Sequence, residues 1–296
     1  MRFDQIPLKY IFYVYTSLLA GIVLLSIFLL KLPGDALKIH FLDIGQGDSV
    51  LIQTPSFHEI LIDGGPGNAV LSQLSEVLPF FEKTIDLVVL THPHADHLMG
   101  LLPVIQRYRV KNVLLTGVSY PSEIYDEFLR EVREQGITLY FAKADEDFLI
   151  GKTVFFDVLY PFTPLLGQKF DNVNNSSIVL RVEYQGISEN FRAFFPGDVE
   201  KEVEKKLLEN GIEMTADLLK AGHHGSRTSS TEAFLSAVSP QYMAIQSGEG
   251  NQFGHPHRET LISASRRGIS VFRNDLFGRI TFAIGEKGEV EIVTER

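Results

Sequence analysis

The sequence predicts an α/β protein, a four-layer αββα sandwich preceded by one N-terminal transmembrane helix. Three observations predict it. An uncharged apolar segment near the N-terminus is long enough to span a membrane. Short apolar runs bounded by turn residues then alternate with amphipathic stretches, and this order of strands and helices occurs twice. We divide the chain into a membrane anchor at residues 1–34 and one globular domain at residues 35–296.

The predicted anchor runs from Tyr10 to Leu30 without a charged residue. At ~1.5 Å rise per residue, a helix of this length crosses a hydrocarbon layer of ~30 Å. Lys9 and Lys31 bracket the segment, and Pro33 ends it. A buried core helix and a cleaved signal peptide are the alternatives, but the run exceeds the ~7–15 apolar residues of a signal peptide. The flanking charges are nearly balanced and give little indication of orientation.

The globular domain is predicted to begin with short strands and then to alternate strands with helices. The predicted strands cover residues 37–42, 49–53, 59–62, 86–90, 178–183, 191–195, 216–220 and 242–245, with closing strands from residue 269. The predicted helices cover residues 69–81, 122–135, 200–210, 231–238 and 259–267. Periodicity alone indicates a mixed α and β protein, and the repeated order favours paired sheets covered by helices.

Composition limits the chemistry that the chain can carry. With no cysteine, it has no disulfide, no thiolate-bound zinc and no thiol nucleophile, so His, Asp and Glu are the available metal ligands. The net charge of −10 argues against a protein that coats nucleic acid by charge alone. A local basic groove and an ordinary solvated surface both fit six arginines of the last quarter, Arg227, Arg258, Arg266, Arg267, Arg273 and Arg279.

Four residues of metal-binding type share one loop after the apolar strand at 86–90. They are His92, His94, Asp96 and His97. Alternate residues of an extended stretch point the same way, so His92 and His94 can converge on one ion, while Asp96 and His97 face a second. Imidazole and carboxylate ligands suit divalent ions, and zinc and manganese both fit. The alternative is a surface loop that is rich in histidine by chance.

This loop resembles the signature of the metallo-β-lactamase superfamily. Further motifs narrow the resemblance to the carboxy-terminal hydrolase domain of the ComEC DNA-uptake proteins, and they are FLDIGQGDS (41–49), LIDGG (61–65), NNSS (174–177), FPGD (195–198), KAGHHGS (220–226) and GHPH (254–257). The resemblance implies a nuclease-like domain outside the cell membrane, with single-stranded DNA as substrate and other DNA-uptake or cell-envelope proteins as partners. ComEC joins this domain to a channel of many helices, whereas one anchor is predicted here, so we do not expect this chain alone to transport DNA.

The resemblance also implies roles for individual residues. Asp198 would bridge two cations, and Asp63 would orient a ligand histidine rather than bind metal itself. Many members of the superfamily have another ligand histidine before the bridging aspartate, but this sequence has none between residues 98 and 197. Asn174 and Asn175 lie in that interval and could offer an amide oxygen, bind substrate or form a plain turn.

The missing ligand is expected from His223 or His224. Neighbouring side chains at a strand end point in different directions, so we assign His224 as the ligand and His223 either as an acid that faces the substrate or as a residue that supports a ligand from behind. His255 and His257 could supply the last ligand of the second ion or protonate a leaving group, and purely structural histidines are the alternative. Ser226 is expected to contact the substrate.

Together these residues predict a hydrolase in which two divalent ions activate one water. Phosphodiester hydrolysis of DNA is the first hypothesis. The alternatives are another esterase of the same fold, such as a phosphorylcholine esterase, and a DNA-binding subunit without catalysis. A β-lactamase is less favoured because of the His-His-Gly-Ser and Gly-His-Pro-His motifs.

Overall fold

The computed structural model describes residues 7–30, 34 and 36–296. Its first element, α1 (Leu8–Leu30), is long and apolar enough to cross a membrane. The window Lys9–Ser26 has a mean hydropathy of 1.5, and none of it is buried against the rest of the described chain. Lys31, Pro33 and residue 35, on which the predicted helix end and domain boundary fall, lie outside the described residues.

Fifteen strands are described, and they form two sheets. In chain order they are β1 (Leu37–Phe41), β2 (Val50–Gln53), β3 (Glu59–Ile62), β4 (Thr84–Val89), β5 (Arg109–Leu115), β6 (Thr138–Phe141), β7 (Phe148–Ile150), β8 (Val154–Tyr160), β9 (Val179–Gln185), β10 (Asn190–Phe195), β11 (Leu218–Lys220), β12 (Tyr242–Ile245), β13 (Ser270–Arg273), β14 (Ile280–Ile284) and β15 (Val290–Thr294). The first sheet has the order β15-β14-β1-β2-β3-β4-β5-β6, and the second has the order β13-β12-β11-β10-β9-β8-β7. Each sheet joins antiparallel strands to a parallel run, β3 to β6 in the first and β10 to β13 in the second.

Helices cover the outer faces of both sheets. They are α2 (Ala69–Val77), α3 (Ala95–Leu98), α4 (Leu101–Arg107), α5 (Glu123–Glu134), α6 (Lys201–Glu209), α7 (Glu232–Val238), α8 (Arg258–Arg266) and α9 (Asn274–Phe277). The inner faces of the sheets pack through one apolar cluster that includes Phe41, Ile62, Val89, Leu180 and Phe195. A second cluster packs α2, α4 and α5 on the first sheet, and a third packs α6, α7 and α8 on the second. The four-layer αββα sandwich is therefore confirmed.

One predicted helix is too long. The helix expected over residues 69–81 ends at Val77, because Leu78 has extended backbone angles, φ −77° and ψ 145°, and precedes Pro79. A residue before proline is disfavoured in the helical region, and proline cannot donate the next hydrogen bond. The sequence analysis also did not predict the strands β5 and β6, which end the first sheet, or β7 and β8, which end the second.

The topology brings several loops to one edge of the sandwich. Asp63 follows β3, the 92–97 loop follows β4, Asp198 follows β10 and the His223-His224 pair follows β11. Because the carboxyl ends of parallel strands open at the same edge of an α/β sheet, loops that are distant in sequence meet there.

Candidate metal centre

The side chains predicted to bind metal converge at this edge. We call His92, His94, Asp96, His97, Asp198 and His224 the candidate centre. Four overlapping groups of side chains hold ligand atoms within 4.8 Å of one another, and two of them are His92 with His97 and Asp198, and Asp96 with His97 and His224. Residues more than a hundred positions apart thus surround one space.

The 92–97 loop supplies three imidazoles. His92 Nε2 and His94 Nδ1 are 3.0 Å apart, and the ring centroids of His92 and His97 are 4.2 Å apart. His92 and His97 are fully buried. The loop turns into α3 immediately after His94, which places Asp96 and His97 on the first helical turn. His97 therefore lies between His92 on one side and Asp96 on the other.

Asp198 lies between the 92–97 loop and the loop that carries His224. Its Oδ2 atom is 3.2 Å from His97 Nε2 and also 3.2 Å from His224 Nε2. His224 Nε2 is 3.2 Å from Asp96 Oδ2 as well. Asp198 thus lies beside imidazoles from separate loops, and its carboxylate also comes within 4.8 Å of a ligand atom of His92, which is the placement expected of a carboxylate that could bridge two cations.

Asp63 lies behind His97. Asp63 Oδ2 accepts a hydrogen bond from His97 Nδ1 at 2.8 Å, which leaves Nε2 directed at Asp198. Thr91 holds the carboxylate by donating from its backbone nitrogen at 2.8 Å and from its hydroxyl at 2.7 Å. A hydrogen bond to one ring nitrogen fixes the tautomer and orients the other nitrogen for a metal. The predicted orienting role of Asp63 stays a prediction, and the contact that it needs is present.

Asp48 and Lys220 belong to the same cluster but were not predicted. Both are buried. Asp48 forms an ion pair with Lys220, and its Oδ1 lies 3.1 Å from His224 Nδ1. Lys220 Nζ is 3.4 Å from Asp198 Oδ1 and donates to the Gly197 carbonyl at 3.1 Å. Their signal in the sequence was the position of each inside a conspicuous motif, FLDIGQGDS and KAGHHGS.

The carboxylates and imidazoles of this cluster shift one another's pKa. Burial disfavours the charged form of His97, but Asp198, Asp63 and Asp96 outweigh it and hold the His97 pKa well above its ordinary value. Burial likewise opposes ionisation of Asp198, whereas His224, His97 and Lys220 hold the Asp198 pKa well below its usual range.

The donor set fits divalent cations. Burial, with His97 next, holds the pKa of His92 well below its ordinary value, so this imidazole is neutral, as a ligand must be. Four carboxylates, from Asp48, Asp63, Asp96 and Asp198, meet the Lys220 ammonium and the imidazoles of His97 and His224, whose pKa values these carboxylates hold well above the ordinary one. Divalent ions bound by imidazole and carboxylate would supply positive charge here in place of the imidazole protons.

The remaining predicted histidines lie at the mouth of the candidate centre. The side chain of His223 is 23% exposed, with Nε2 3.9 Å from Asp198 Oδ2 and Nδ1 3.3 Å from Glu200 Oε1. The ring of His255 lies 5.5 Å from that of His223 and 6.0 Å from that of His224. Burial, followed by the nearby His224 and His223, lowers the pKa of His255 to about 4. His257 contacts the His255 ring at 4.9 Å and is one residue layer farther out.

The backbone turn at His223 and His224 gives the two neighbouring side chains different positions. His223 and His224 both have positive φ, 46° and 53°. Such angles are uncommon outside glycine and concentrate at functional sites. The turn buries His224 against Asp96 and Asp198 and leaves His223 partly exposed.

The structure places the three predicted polar residues differently. Asn174 is buried, and its Oδ1 atom has no hydrogen-bond partner. Asn175 turns towards α6, where its Oδ1 accepts from the Glu200 backbone at 2.9 Å. The Ser226 hydroxyl forms a hydrogen bond within its own turn, with the Thr228 hydroxyl at 3.0 Å. The roles assigned to these residues stay predictions.

The rim carries an aromatic side chain and two unpaired cations. Phe253 is 54% exposed and stacks on His255 at 5.7 Å with an interplanar angle of 23°. Arg227 and Arg258, on either side of His257, are exposed and form no ion pair within residues 36–296. The other four arginines of the hypothetical basic groove pair with carboxylates. Of these six arginines, Arg227 and Arg258 are therefore the two that remain unpaired, within the described residues, beside the candidate centre, and the basic groove stays a hypothesis.

Comparison with known proteins supports the geometry. A family model described as the metallo-beta-lactamase superfamily matches residues 42–248. ComE operon protein 3 of Bacillus subtilis (strain 168) is 33% identical over 266 residues, which cover 83% of this chain and 33% of that protein. Competence protein ComA of Neisseria gonorrhoeae is 29% identical, with 86% of this chain and 33% of that protein covered. The chain thus spans about a third of the length of these relatives, and the predicted resemblance to ComEC-type competence proteins is confirmed.

Solved structures show the same fold. Tm1679, a metal-dependent hydrolase of the beta-lactamase superfamily, matches with a TM-score of 0.50 and 14% identity over 88% of this chain and 100% of that chain. CmlA, a diiron beta-hydroxylase from Streptomyces venezuelae, matches with a TM-score of 0.51 and 15% identity over 84% of this chain and 54% of that chain. With the family model matching more than two thirds of its residues, this chain belongs to the metallo-beta-lactamase superfamily.

Proposed function

We propose that this chain is a membrane-anchored phosphodiesterase that uses two divalent ions, zinc or manganese, to cleave DNA strands. The observation that carries the proposal is the position of Asp198, whose carboxylate lies within 4.8 Å of ligand atoms of His92 and His97 in one group and of His224 in another. In two-metal hydrolases, a carboxylate between two such groups can hold two cations close enough to share one water.

The chain's own residues divide the work. His92, His94 and Asp198 would hold one ion, and Asp96, His97 and His224 with Asp198 would hold the other. When bound, such ions supply a hydroxide at neutral pH and stabilise charge on the phosphate. Asp63 orients His97, while Asp48 and Lys220 fix the positions of His224 and Asp198. His223 and His255, at the mouth, face the space that a substrate would enter.

The rim favours a nucleic-acid strand as substrate. Phe253 offers an exposed ring on which a base can stack, and Arg227 and Arg258 offer guanidinium groups for phosphates. The net charge of −10 argues against broad binding along a duplex and is compatible with a short contact of this kind. Similarity to proteins named for competence supports DNA in particular.

A substrate panel tests the proposal. The full chain in detergent, loaded with manganese or zinc, is expected to cleave single-stranded DNA and bis-p-nitrophenyl phosphate. Asp198→Asn should abolish both activities, whereas Asp157→Asn, a carboxylate variant in the ion pair with Arg181, should leave them intact. Hydrolysis of phosphorylcholine esters alone would support the esterase alternative, and metal binding with no turnover on any substrate would support a non-catalytic subunit.

The rim contact can be tested separately. Phe253→Ala is expected to raise KM for single-stranded DNA about five- to a hundredfold, from a base-stacking free energy of about 1–3 kcal/mol. It should leave bis-p-nitrophenyl phosphate hydrolysis unchanged, because that substrate has no base. Phe80→Ala is the matched control, since Phe80 is 79% exposed and precedes β4 at the opposite edge of the sandwich.

Membrane anchoring by α1 is part of the proposal. Its support is the length and hydropathy of the helix and the exposure of its segment Lys9–Ser26, which would otherwise face water. The chain should remain in the membrane fraction after alkaline extraction, and a reporter fused after Arg296 should be active outside the cytoplasm. Membrane lipid, and other DNA-uptake or cell-envelope proteins, would then be its partners. Release by alkali, or a cytoplasmic reporter signal, would contradict the placement.

A further inference from the structure

The candidate centre has an unusual neighbour on the side of His92 and His94. Many members of the superfamily have a histidine in the interval before the bridging aspartate, and this chain has none between residues 98 and 197. The buried polar side chain that the structure places beside His94 in this interval is Asn174. An asparagine offers one amide oxygen where a histidine would offer a ring nitrogen.

The Asn174 amide oxygen faces the candidate centre. The residue is 7% exposed, and its buried Oδ1 atom has no hydrogen-bond partner within 3.5 Å. Its Nδ2 atom lies 3.4 Å from Glu200 Oε1. A carboxylate only accepts, so the nitrogen must face Glu200 and the other atom of the amide is the oxygen. Burial lowers the pKa of His94, and this oxygen, directed at the His94 imidazole, partly opposes that shift, so it lies beside a proposed metal ligand without a close hydrogen bond of its own.

The backbone around Asn174 is tied to the candidate centre. Ser177 Oγ donates to the Asn174 carbonyl at 2.7 Å and accepts from the Asp198 backbone nitrogen at 3.1 Å. The Ile178 backbone nitrogen donates to the Thr91 carbonyl, next to His92, at 3.0 Å. The 3-10 turn Val173–Ser176 is thereby fixed between the loops that carry His92 and Asp198.

We infer that Asn174 Oδ1 is the amide-oxygen ligand that completes the metal position formed by His92, His94 and Asp198. This inference rests on the proposed function, because it presumes that ions bind there. Exchanging an imidazole for a neutral oxygen makes the ligand set harder, which narrows the preference for zinc over manganese. The position is therefore suited to manganese in a way that a histidine at 174 would not be.

Metal binding by the full chain in detergent tests the inference without any activity assay. Loss of the free Mn²⁺ resonance signal on titration should report two bound ions per wild-type chain. Asn174→Ala should weaken one of them at least about tenfold, the scale on which even residues that support a ligand act. Asn174→His should restore two ions and raise the ratio of zinc to manganese affinity about tenfold or more.

The adjacent asparagine provides the control. Asn175→Ala removes the same kind of side chain from the same turn, but Asn175 faces α6. It should keep two manganese ions with wild-type affinity. Unchanged affinities in Asn174→Ala, an equal loss in Asn175→Ala, or an unchanged metal preference in Asn174→His would each overturn the inference. A wild-type chain that binds two ions but cleaves no phosphodiester would contradict the proposed function and leave the ligand assignment standing.

Discussion

Replacing Asp63 by asparagine should weaken metal binding although Asp63 is not itself expected to bind metal. The carboxylate accepts three hydrogen bonds, two from Thr91 at 2.8 and 2.7 Å and one from His97 Nδ1 at 2.8 Å. Its φ of 58° is in the left-handed region, which asparagine tolerates better than most residues, so the substitution changes the hydrogen bonds and not the backbone.

The amide can satisfy only part of this set. If its oxygen accepts from the Thr91 backbone, its NH2 group faces His97 Nδ1, which must then accept and move its proton to Nε2. That nitrogen lies 3.2 Å from Asp198 Oδ2 and is the expected metal ligand, and a protonated nitrogen cannot bind metal. If the amide flips, the NH2 group faces the Thr91 N–H and a buried donor is left unpaired. Either arrangement costs about 1–3 kcal/mol.

The expected result is a loss of about 10- to 100-fold in the affinity of the ion held by His97. Competition with a chromophoric chelator measures it. Asp157→Asn is the control, because it makes the same carboxylate-to-amide change in an ion pair with Arg181 away from the candidate centre, and it should leave metal affinity unchanged. An Asp63→Asn chain with affinities within twofold of wild type would refute the orienting role.

Three further perturbations test parts of the account. Burial raises the pKa of Glu59 from 4.5 to about 7, so the folded state binds this proton more tightly than the unfolded state does. The free energy of unfolding should therefore fall by about 3 kcal/mol as the pH rises from 4.5 to above 7. Glu59→Gln keeps an acceptor for Gln53 and should remove that fall, as measured by urea unfolding at pH 5 and 8.5; a parallel pH profile would contradict it. Lys220→Met should lower the free energy of unfolding of the metal-free chain by about 3–5 kcal/mol. The loss should be smaller in the metal-loaded chain, because bound ions then balance the charge of the carboxylates. Equal losses in the two states would contradict this. Gly47 has a φ of 139°, and in Gly47→Ala the new Cβ would overlap the Asp96 carbonyl oxygen. Both the melting temperature and the metal affinity should therefore fall. An unchanged melting temperature and metal affinity would show that this loop does not position Asp96.

Local patterns predicted much of the fold and of the candidate centre. Short apolar runs predicted β3 and β12 with the bounds that the structure has. The loop from His92 to His97 was identified because it carries four potential metal ligands, three histidines and one aspartate, within six residues. Such signals are short in range, so one stretch of sequence contains them entirely.

The residues that sequence analysis missed depend on contacts across the fold. Asp48 and Lys220 are 172 positions apart, and although each lies inside a conspicuous motif, neither motif indicates that the other residue is its partner. Their ion pair forms because the start of β2 and the end of β11 lie at the same edge of the sandwich. The unpaired oxygen of Asn174 likewise follows from three-dimensional burial, which the Asn-Asn-Ser-Ser run does not specify.

The most direct test of the central claim is a crystal of the full chain soaked in manganese, with data collected at the metal's absorption edge. The account predicts two anomalous peaks about 3.5–4 Å apart, with Asp198 between them and the imidazoles of His92, His97 and His224 around them. No peak at this edge of the sandwich, or a single peak away from Asp198, would contradict it.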